Sequence, residues 1–554
     1  MPNRPQKQNM KTTTRTENWR KIAIAIVCVI TFFANNDVIK TDIMESRNII
    51  TAREMVYDGH WMVPTMNGEL RLEKPPLPTW LTAITEIVSP DSIAVQRGMA
   101  GLAALLLAFY FWKFARRVLH TDPFVATLLL CTCYNVILMG RTASWDIFCH
   151  AFMMGGIYHL ARGLSLPPCH RKHFIAAGMF TGLSIMSKGP VSLYALLLPF
   201  AVSYCICFRP QVKDKQCALT VATVIALIIG TWWFVYIHLS QAEALAAVVS
   251  KESGSWINHN VRPWWYYWKF FLETGVWSLL LLTAIVLPLA DRKRRSYKPW
   301  LFALGWLAGS LLLLSLMPEK KSRYLLPLLI PACYVMGCLM DWWKESLRNG
   351  TTAPEADKWC FRINSLLIAT VVALLPVAAF VFVLKPCYIS VAGWVTFSVG
   401  TIAIAVYLIS AAIKLRPMRL AGGVTVLFVA AECFAMPAIG CLINNPEMKS
   451  IAATKSMKAL EGLPFYRIDT EPLRIELVYA AGRKIRPIAP EELKDSLPCV
   501  LLTRKPIRAT LADSCLEGID ITDIGRFDDN RRPKTNRRYS DEFIYHVSLL
   551  KRIE

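Results

Sequence analysis

Leu70-Arg71-Leu72-Glu73-Lys74-Pro75-Pro76-Leu77-Pro78-Thr79-Trp80 sits in a polar segment, Asn35 to Gln96, flanked on both sides by apolar runs. The segment carries nine Asp/Glu and five Lys/Arg, too ordered a composition for a linker. The double proline blocks helix directly after Lys74 and bends the chain toward the next element. Glu73 and Lys74 are therefore expected at a fixed bend. A loop of this kind between two membrane spans suits a reacting group held at a membrane surface.

The flanks decide the fold. The chain has 554 residues, of which 54% are hydrophobic and only 18% charged, and its mean hydropathy is +0.36. Apolar runs recur over about three quarters of the length, which predicts a polytopic α-helical membrane protein. Thirteen candidate spans fall between residues 21 and 443, including 21–34, 122–138, 146–161, 173–187 and 190–208. The net charge is +22, but the cations form short clusters between apolar runs. That pattern fits anchoring on anionic lipid and argues against nucleic acid.

With residues 1–20 inside, the inner segments carry 27 Lys/Arg against 15 on the outer segments of the membrane part. The positive-inside bias thus predicts a cytoplasmic N-terminal tail. The basic start reads as an uncleaved anchor, because no small-residue cleavage site follows its apolar run. An odd number of spans puts residues 444–554 and the first loop, 35–96, on the outer face. Residues 444–554 alternate short β-like runs such as Cys499-Val500-Leu501-Leu502 with helical stretches, 450–461 and 490–496. They predict a small extracytoplasmic α/β domain. The sixteen cysteines include no CxxC. Most read as small apolar residues; Cys499 and Cys515 are the pair that an oxidising compartment would join.

The outer segments gather ionisable residues. The first loop offers Asp42, Glu45, Arg47, Arg53, Glu73 and Lys74. Within it, Thr51 to Tyr57 reads as a short helix whose Ile50, Met55 and Val56 suit a membrane surface. Asp146 stands at the outer start of a span, either as a carboxylate favoured by the helix dipole or as a site carboxylate holding Arg141 or Lys188. Lys188 breaks two apolar runs, and ionisable residues there are costly unless they serve a function or snorkel. A third outer stretch contains Glu252, His259, Arg262 and the aromatic run through Tyr266, suited to an interfacial belt or to a sugar or headgroup platform. Glu252 with His259 is at most the beginning of a metal site. Lys320, Lys321 and Arg323, followed by Tyr324, put three cations in four positions on the face that should be poor in them; phosphate binding explains that. Cations would stabilise charge on a departing phosphate, and a carboxylate would deprotonate an acceptor hydroxyl.

In this combination the motifs resemble a known family. Arg53-Glu54-Met55-x-x-x-Gly59-x-Trp61-x-x-Pro64, then Glu73-Lys74-Pro75-Pro76-Leu77-x-x-Trp80, is similar to the first outer loop of the polyprenyl-phosphate-sugar glycosyltransferases. That group includes protein O-mannosyltransferases and aminoarabinose–lipid A transferases. Asp146, Lys188, the 252–267 stretch and Lys320 to Tyr324 follow in matching order, and the resemblance covers about residues 20–445. It implies the GT-C membrane fold with about thirteen spans and a distal soluble domain. It also implies one-step inverting transfer from a polyprenyl monophosphate sugar (undecaprenyl-type) on the extracytoplasmic face of a bacterial inner membrane. The family's adjacent Asp-Glu pair reads Met44-Glu45 here, with Asp42 displaced, so the catalytic base is Glu45 or, failing that, Asp42. Lys74, Lys188, Lys320 and Tyr324 are implied as donor-phosphate contacts, and Glu73 and Asp146 as positioning residues. The acceptor expected first is lipid A or another envelope glycolipid, with protein Ser/Thr or polysaccharide as the alternative. A lipid-linked sugar transporter is the non-enzymatic alternative; repeated halves and mid-membrane charges would mark it, and the sequence has no such repeat.

Overall fold

In the computed structural model the described residues are 4–166, 170–295, 297–347, 354–445 and 447–553. They fall into two compact units. One, here the membrane unit, comprises residues 1–36, 73–78 and 97–436. The other, the sheet unit, comprises 37–72, 79–96 and 437–554.

The membrane unit is helical. Among the described residues, eight helices are long and apolar enough to cross a membrane. A ninth span arises if Pro123–Cys131 and Tyr134–Gly140, bent by 68° at their junction, count as one. The bend has a visible cause: Thr132 turns its hydroxyl back to the Leu128 carbonyl at 2.7 Å while accepting the Trp277 indole N–H at 2.8 Å. Four further expected spans, 21–34, 146–161, 173–187 and 190–208, are helical but shorter or more polar. Trp145–Ser165 is mostly buried against protein, so its sequence can afford Asp146, His150 and glycines in place of aliphatic residues. Arg171–Lys188 and Gln216–Ser240 pack through small residues. A Cβ on Gly178 would strike the Ala222 carbonyl, and one on Gly230 would come 2.8 Å from Ile185 Cβ. Lipid supplies little drive for helix association, so close approach through small residues does that work.

The sheet unit is built on five strands in the order β4-β3-β5-β7-β6. They are β3 (Phe465–Ile468), β4 (Ile485–Ile488), β5 (Cys499–Thr503), β6 (Ile519–Asp528) and β7 (Ile544–Arg552). β3 runs parallel to β4 and β5, whereas β7 is antiparallel to β5 and β6. β5 is buried along its whole length, with one apolar cluster on each side of the sheet, as an unalternating apolar run requires. The expected helical stretches 450–461 and 490–496 are 3-10 turns, Ile451–Ser456, Lys458–Leu460 and Pro490–Ser496. Cys499 and Cys515 are free thiols.

The same unit contains most of the first loop. A hairpin pairs β1 (Thr65–Met66) with β2 (Glu69–Leu70). Ahead of it the helix Ile43–Tyr57 starts eight residues before the helix expected at Thr51, because Asp42 caps it. Ile50 and Met55, expected on a membrane surface, are instead 3% and 0% exposed. Ile50 joins the sheet's own apolar cluster beside Leu477 and Val478. Met55 packs with Ala52 and Ala83. The apolar face of this helix is therefore used up by protein.

Candidate active site

In the membrane unit, Lys188 ends the helix Arg171–Lys188, and Gly189 follows at φ 72°. The Lys188 ammonium pairs with Asp146 Oδ1, and both side chains are buried, at 7% and 2%. Lys188 Nζ also lies 4.6 Å from the centre of the Tyr324 ring. Arg323 adds positive potential at Asp146. One turn beyond Asp146, His150 is 1% exposed, and its Nδ1 has no hydrogen-bond partner among the described residues. A buried carboxylate, ammonium and imidazole thus converge beside a half-buried phenol.

Two outer segments are laced together beside Tyr324. Val261 bridges Glu319, Lys320 N–H donates to the Asn260 carbonyl at 3.2 Å, and Arg262 N–H donates to the Pro318 carbonyl at 3.3 Å. The Tyr267 hydroxyl donates to the Lys321 carbonyl and accepts its N–H, at 3.2 and 2.9 Å. Lys321 pairs with Glu319 at 2.5 Å. Lys320 is 4% exposed, its Nζ donates to the Met317 carbonyl, and burial pushes its pKa down. Arg262 is exposed and Tyr266 half-buried, with Lys269 over the Tyr266 ring at 4.3 Å.

The Glu73–Lys74 bend also belongs to the membrane unit. Lys74 pairs with Glu252 at 3.3 Å. Beside it, Glu73 Oε2 is buried with no hydrogen-bond partner among the described residues. An orphaned carboxylate oxygen next to a cation is costly unless a ligand completes it. His259 is exposed. The suggested Glu252–His259 metal pair gains no third ligand among the described residues; the one group with suitable spacing there is Glu54, Asp58 and His60. All three already have work, His60 Nδ1 lying 2.7 Å from the Thr65 hydroxyl. Glu54 accepts from the Thr65 hydroxyl and the Asn67 N–H, both at 2.5 Å, and Asp58 pairs with Lys484 at 2.7 Å.

The two candidate bases lie in the sheet unit, where they form a capping box. Asp42 Oδ1 accepts the N–H groups of Met44 and Glu45, both at 2.8 Å, and Glu45 Oε2 accepts the Asp42 N–H at 3.2 Å. Glu45 is 2% exposed. The Asp-x-x-Glu spacing of residues 42–45 spells this box, so the sequence already carried the signal. Arg53, expected as a substrate contact, is engaged inside the same unit. It pairs with Glu86 at 3.7 Å and with Asp91, donates to the Tyr479 carbonyl at 3.0 Å and stacks on the Tyr479 ring. Arg47 is half-buried and its Nε has no partner among the described residues.

A device that the sequence reading passed over sits where the first helix ends, within the membrane unit. The last apolar helix contains a π turn, Ala431–Ala435. Asn35, at φ 48°, donates its amide to the Glu432 and Cys433 carbonyls at 2.9 and 3.0 Å. Glu432 in turn pairs with Arg141 at 2.7 Å, both less than a tenth exposed. Arg141 also donates to the Thr31, Ala34 and Asn35 carbonyls, and Arg97 donates to the Asn36 carbonyl at 2.5 Å. The π turn frees carbonyls that an ordinary helix would use, and Asn35, where the first loop begins, is bound to two carbonyls of that turn.

Comparison with known proteins bears on this arrangement. Residues 73–234 match the family described as dolichyl-phosphate-mannose-protein mannosyltransferase. The chain is 24% identical over 392 residues to an undecaprenyl phosphate-α-4-amino-4-deoxy-L-arabinose arabinosyl transferase of Serratia proteamaculans. That match covers 67% of each protein. The Edwardsiella ictaluri protein of the same name is 27% identical, over 68% of each. The chain is similar to these glycosyltransferases over about two thirds of its length. The Pseudomonas savastanoi relative matches over only 55% of its length, so the chain spans about half of some curated relatives. The crystal structure of ArnT from Cupriavidus metallidurans bound to undecaprenyl phosphate superposes with a TM-score of 0.66. That superposition covers 96% of this chain and 98% of that one, at 17% identity. Both the membrane helices and the C-terminal sheet thus have counterparts in one known multi-pass fold, as the resemblance implied.

Proposed function

We propose that the protein is a membrane glycosyltransferase that moves a sugar from a polyprenyl-phosphate donor, with inversion, to lipid A or another envelope glycolipid. The observation that carries this reading is the buried Asp146–Lys188 pair beneath Tyr324, next to the laced turn bearing Lys320 and Lys321. As the glycosidic bond breaks, a second negative charge grows on the donor phosphate. Preorganised ammonium groups in a water-poor site stabilise that charge far better than water does. Lys188, Lys320 and Lys74 are assigned to that phosphate, with Lys321, Arg323, Arg262 and Tyr324 around them. Asp146 holds Lys188 in place and Glu252 holds Lys74, with Glu73 assigned to positioning the donor.

The acceptor decides whether a base is needed. A phosphate acceptor is already ionised at pH 7 and can attack the anomeric carbon without losing a proton. A hydroxyl needs a base, which would draw Glu45 or Asp42 out of the capping box. With both acids committed to the helix start, the phosphate acceptor fits better.

The proposed topology has thirteen crossings in a bacterial inner membrane, with residues 1–20 cytoplasmic, 21–443 in the membrane domain, and 35–96 and 444–554 periplasmic. Mass spectrometry of lipid A and glycoproteins from a deletion strain tests the function. Loss of a sugar mass from lipid A is expected; intact lipid A with missing protein glycans would overturn the reading.

A further inference from the structure

The loop Arg531–Arg538, between β6 and β7, holds five cations, Arg531, Arg532, Lys534, Arg537 and Arg538, and no acid. Concentrated like charge costs self-repulsion unless acids or a bound anion offset it. Of the acids that flank it, Asp528 and Asp529 are turned inward, whereas Asp541, three residues past Arg538, is exposed. Asp528 accepts from the Asn530 amide at 2.8 Å and the Tyr539 hydroxyl at 2.5 Å. Asp529 accepts from the Ser450 hydroxyl and the Ile451 N–H, at 2.5 and 2.9 Å. Arg532, Lys534, Arg537 and Arg538 have no carboxylate within 4 Å among the described residues.

The loop is nevertheless fixed at its feet. Asn530, 2% exposed, donates to the Ser540 carbonyl and accepts the Ser540 N–H, at 2.9 and 3.0 Å. Asn445 donates to the Asn530 and Arg532 carbonyls. Its tip is a run of turns, with Asn536 N–H on the Pro533 carbonyl and Tyr539 N–H on the Asn536 carbonyl. Arg532, Thr535, Asn536, Arg537 and Arg538 line a shallow, open depression. Within the same unit, burial pushes the Lys40 pKa down, Asp529 opposes this, and Arg531 adds to it. Lys40 stands two residues before Asp42.

We propose that Arg531–Arg538 is a binding site for a phosphomonoester, and that its ligand is the phosphorylated headgroup of the glycolipid acceptor. Arginine forks match phosphate oxygens in pairs, and a fixed loop spares the ordering cost a mobile one would incur. This gives the C-terminal domain the task of holding the acceptor, and the choice of ligand rests on the function proposed above.

The test uses the full chain in neutral phosphatidylcholine nanodiscs. Diphosphorylated lipid A, its dephosphorylated form and phosphatidylglycerol serve as titrants. The wild type is expected to bind the phosphorylated form at least tenfold tighter than either of the others. The triple variant Lys534→Gln/Arg537→Gln/Arg538→Gln should lose that tenfold, and a triple variant with Arg537 and Arg538 changed to Lys and Lys534 to Arg should recover only part of it. Equal binding by wild type and Gln variant, or equal preference for phosphatidylglycerol, would overturn the proposal. Transfer measured in the same discs separates the two readings. A raised acceptor KM with unchanged donor KM supports both. Headgroup discrimination without any transfer by the wild type leaves the loop standing and removes the proposed function.

Discussion

The two units treat their charged residues in opposite ways. In the membrane unit, Asp146 and Lys188 are sealed together beneath Tyr324, while His150 and Glu73 keep buried polar atoms without partners among the described residues. In the sheet unit, Asp42, Glu45, Arg53, Glu54 and Asp58 are each spent on a cap, a hairpin or an ion pair. The first arrangement stores unmet bonding capacity, which a ligand can use. The second has already used its capacity to fix a backbone. Charged loop residues therefore cannot be ranked as catalytic by their chemistry alone; what matters is what remains once the fold has taken its share.

The largest effect that would break this contrast comes from Lys188→Met. It leaves Asp146 buried and uncompensated, which should cost about 3–5 kcal/mol of stability, and it should lower transfer by about 10²–10³. Adding Asp146→Asn should restore the melting temperature but not the rate. Restored transfer in the double variant would make the pair purely structural. Next comes Arg141→Met, which strands Glu432 and releases the end of the first helix. It should cost about 3 kcal/mol and speed protease cleavage within 37–72. An unchanged cleavage rate would sink the idea that the π turn holds the loop start.

Glu45→Gln should act more gently. As a cap change it costs about 1 kcal/mol and, with a phosphate acceptor, leaves transfer within a few-fold. A fall of about 10²–10⁴ would identify Glu45 as a general base after all. The smallest effect is a pH dependence. Burial lowers the Lys320 pKa in the protein without donor, and a bound phosphate would raise it again. Donor affinity is therefore full well below that lowered value and declines as pH rises through it. Lys320→Arg should shift this decline to higher pH, which titration calorimetry across pH would detect.

The sequence disclosed the helical framework and a small C-terminal α/β unit because hydropathy and short β-like runs are local signals. It also isolated the Glu73–Lys74 bend, Asp146 and Lys188, since charge within apolar surroundings stands out without coordinates. The shortfall in apolar spans has a physical source: Trp145–Ser165 is surrounded by protein and has no need of lipid-like side chains. The fate of Ile50 and Met55 was hidden because their partners, in the second case Ala83 and in the first Leu477 and Val478, are remote in sequence. The Asp42–Glu45 cap was legible from its spacing, but the catalytic reading took precedence. The Asn35 contact with the π turn was not legible at all, since it joins residues 397 positions apart.

The π turn at Ala431–Ala435 also sets a rule about length. Such a turn amounts to one residue more than a regular helix would hold. Removing one residue there would restore ordinary winding, with the flanking turns kept near their present register. The Glu432 and Cys433 carbonyls would close onto their own helix, leaving the Asn35 amide with nothing to bind. Substitutions can be absorbed at many places along this helix, whereas a single deletion in those five residues would unlatch the loop where it begins.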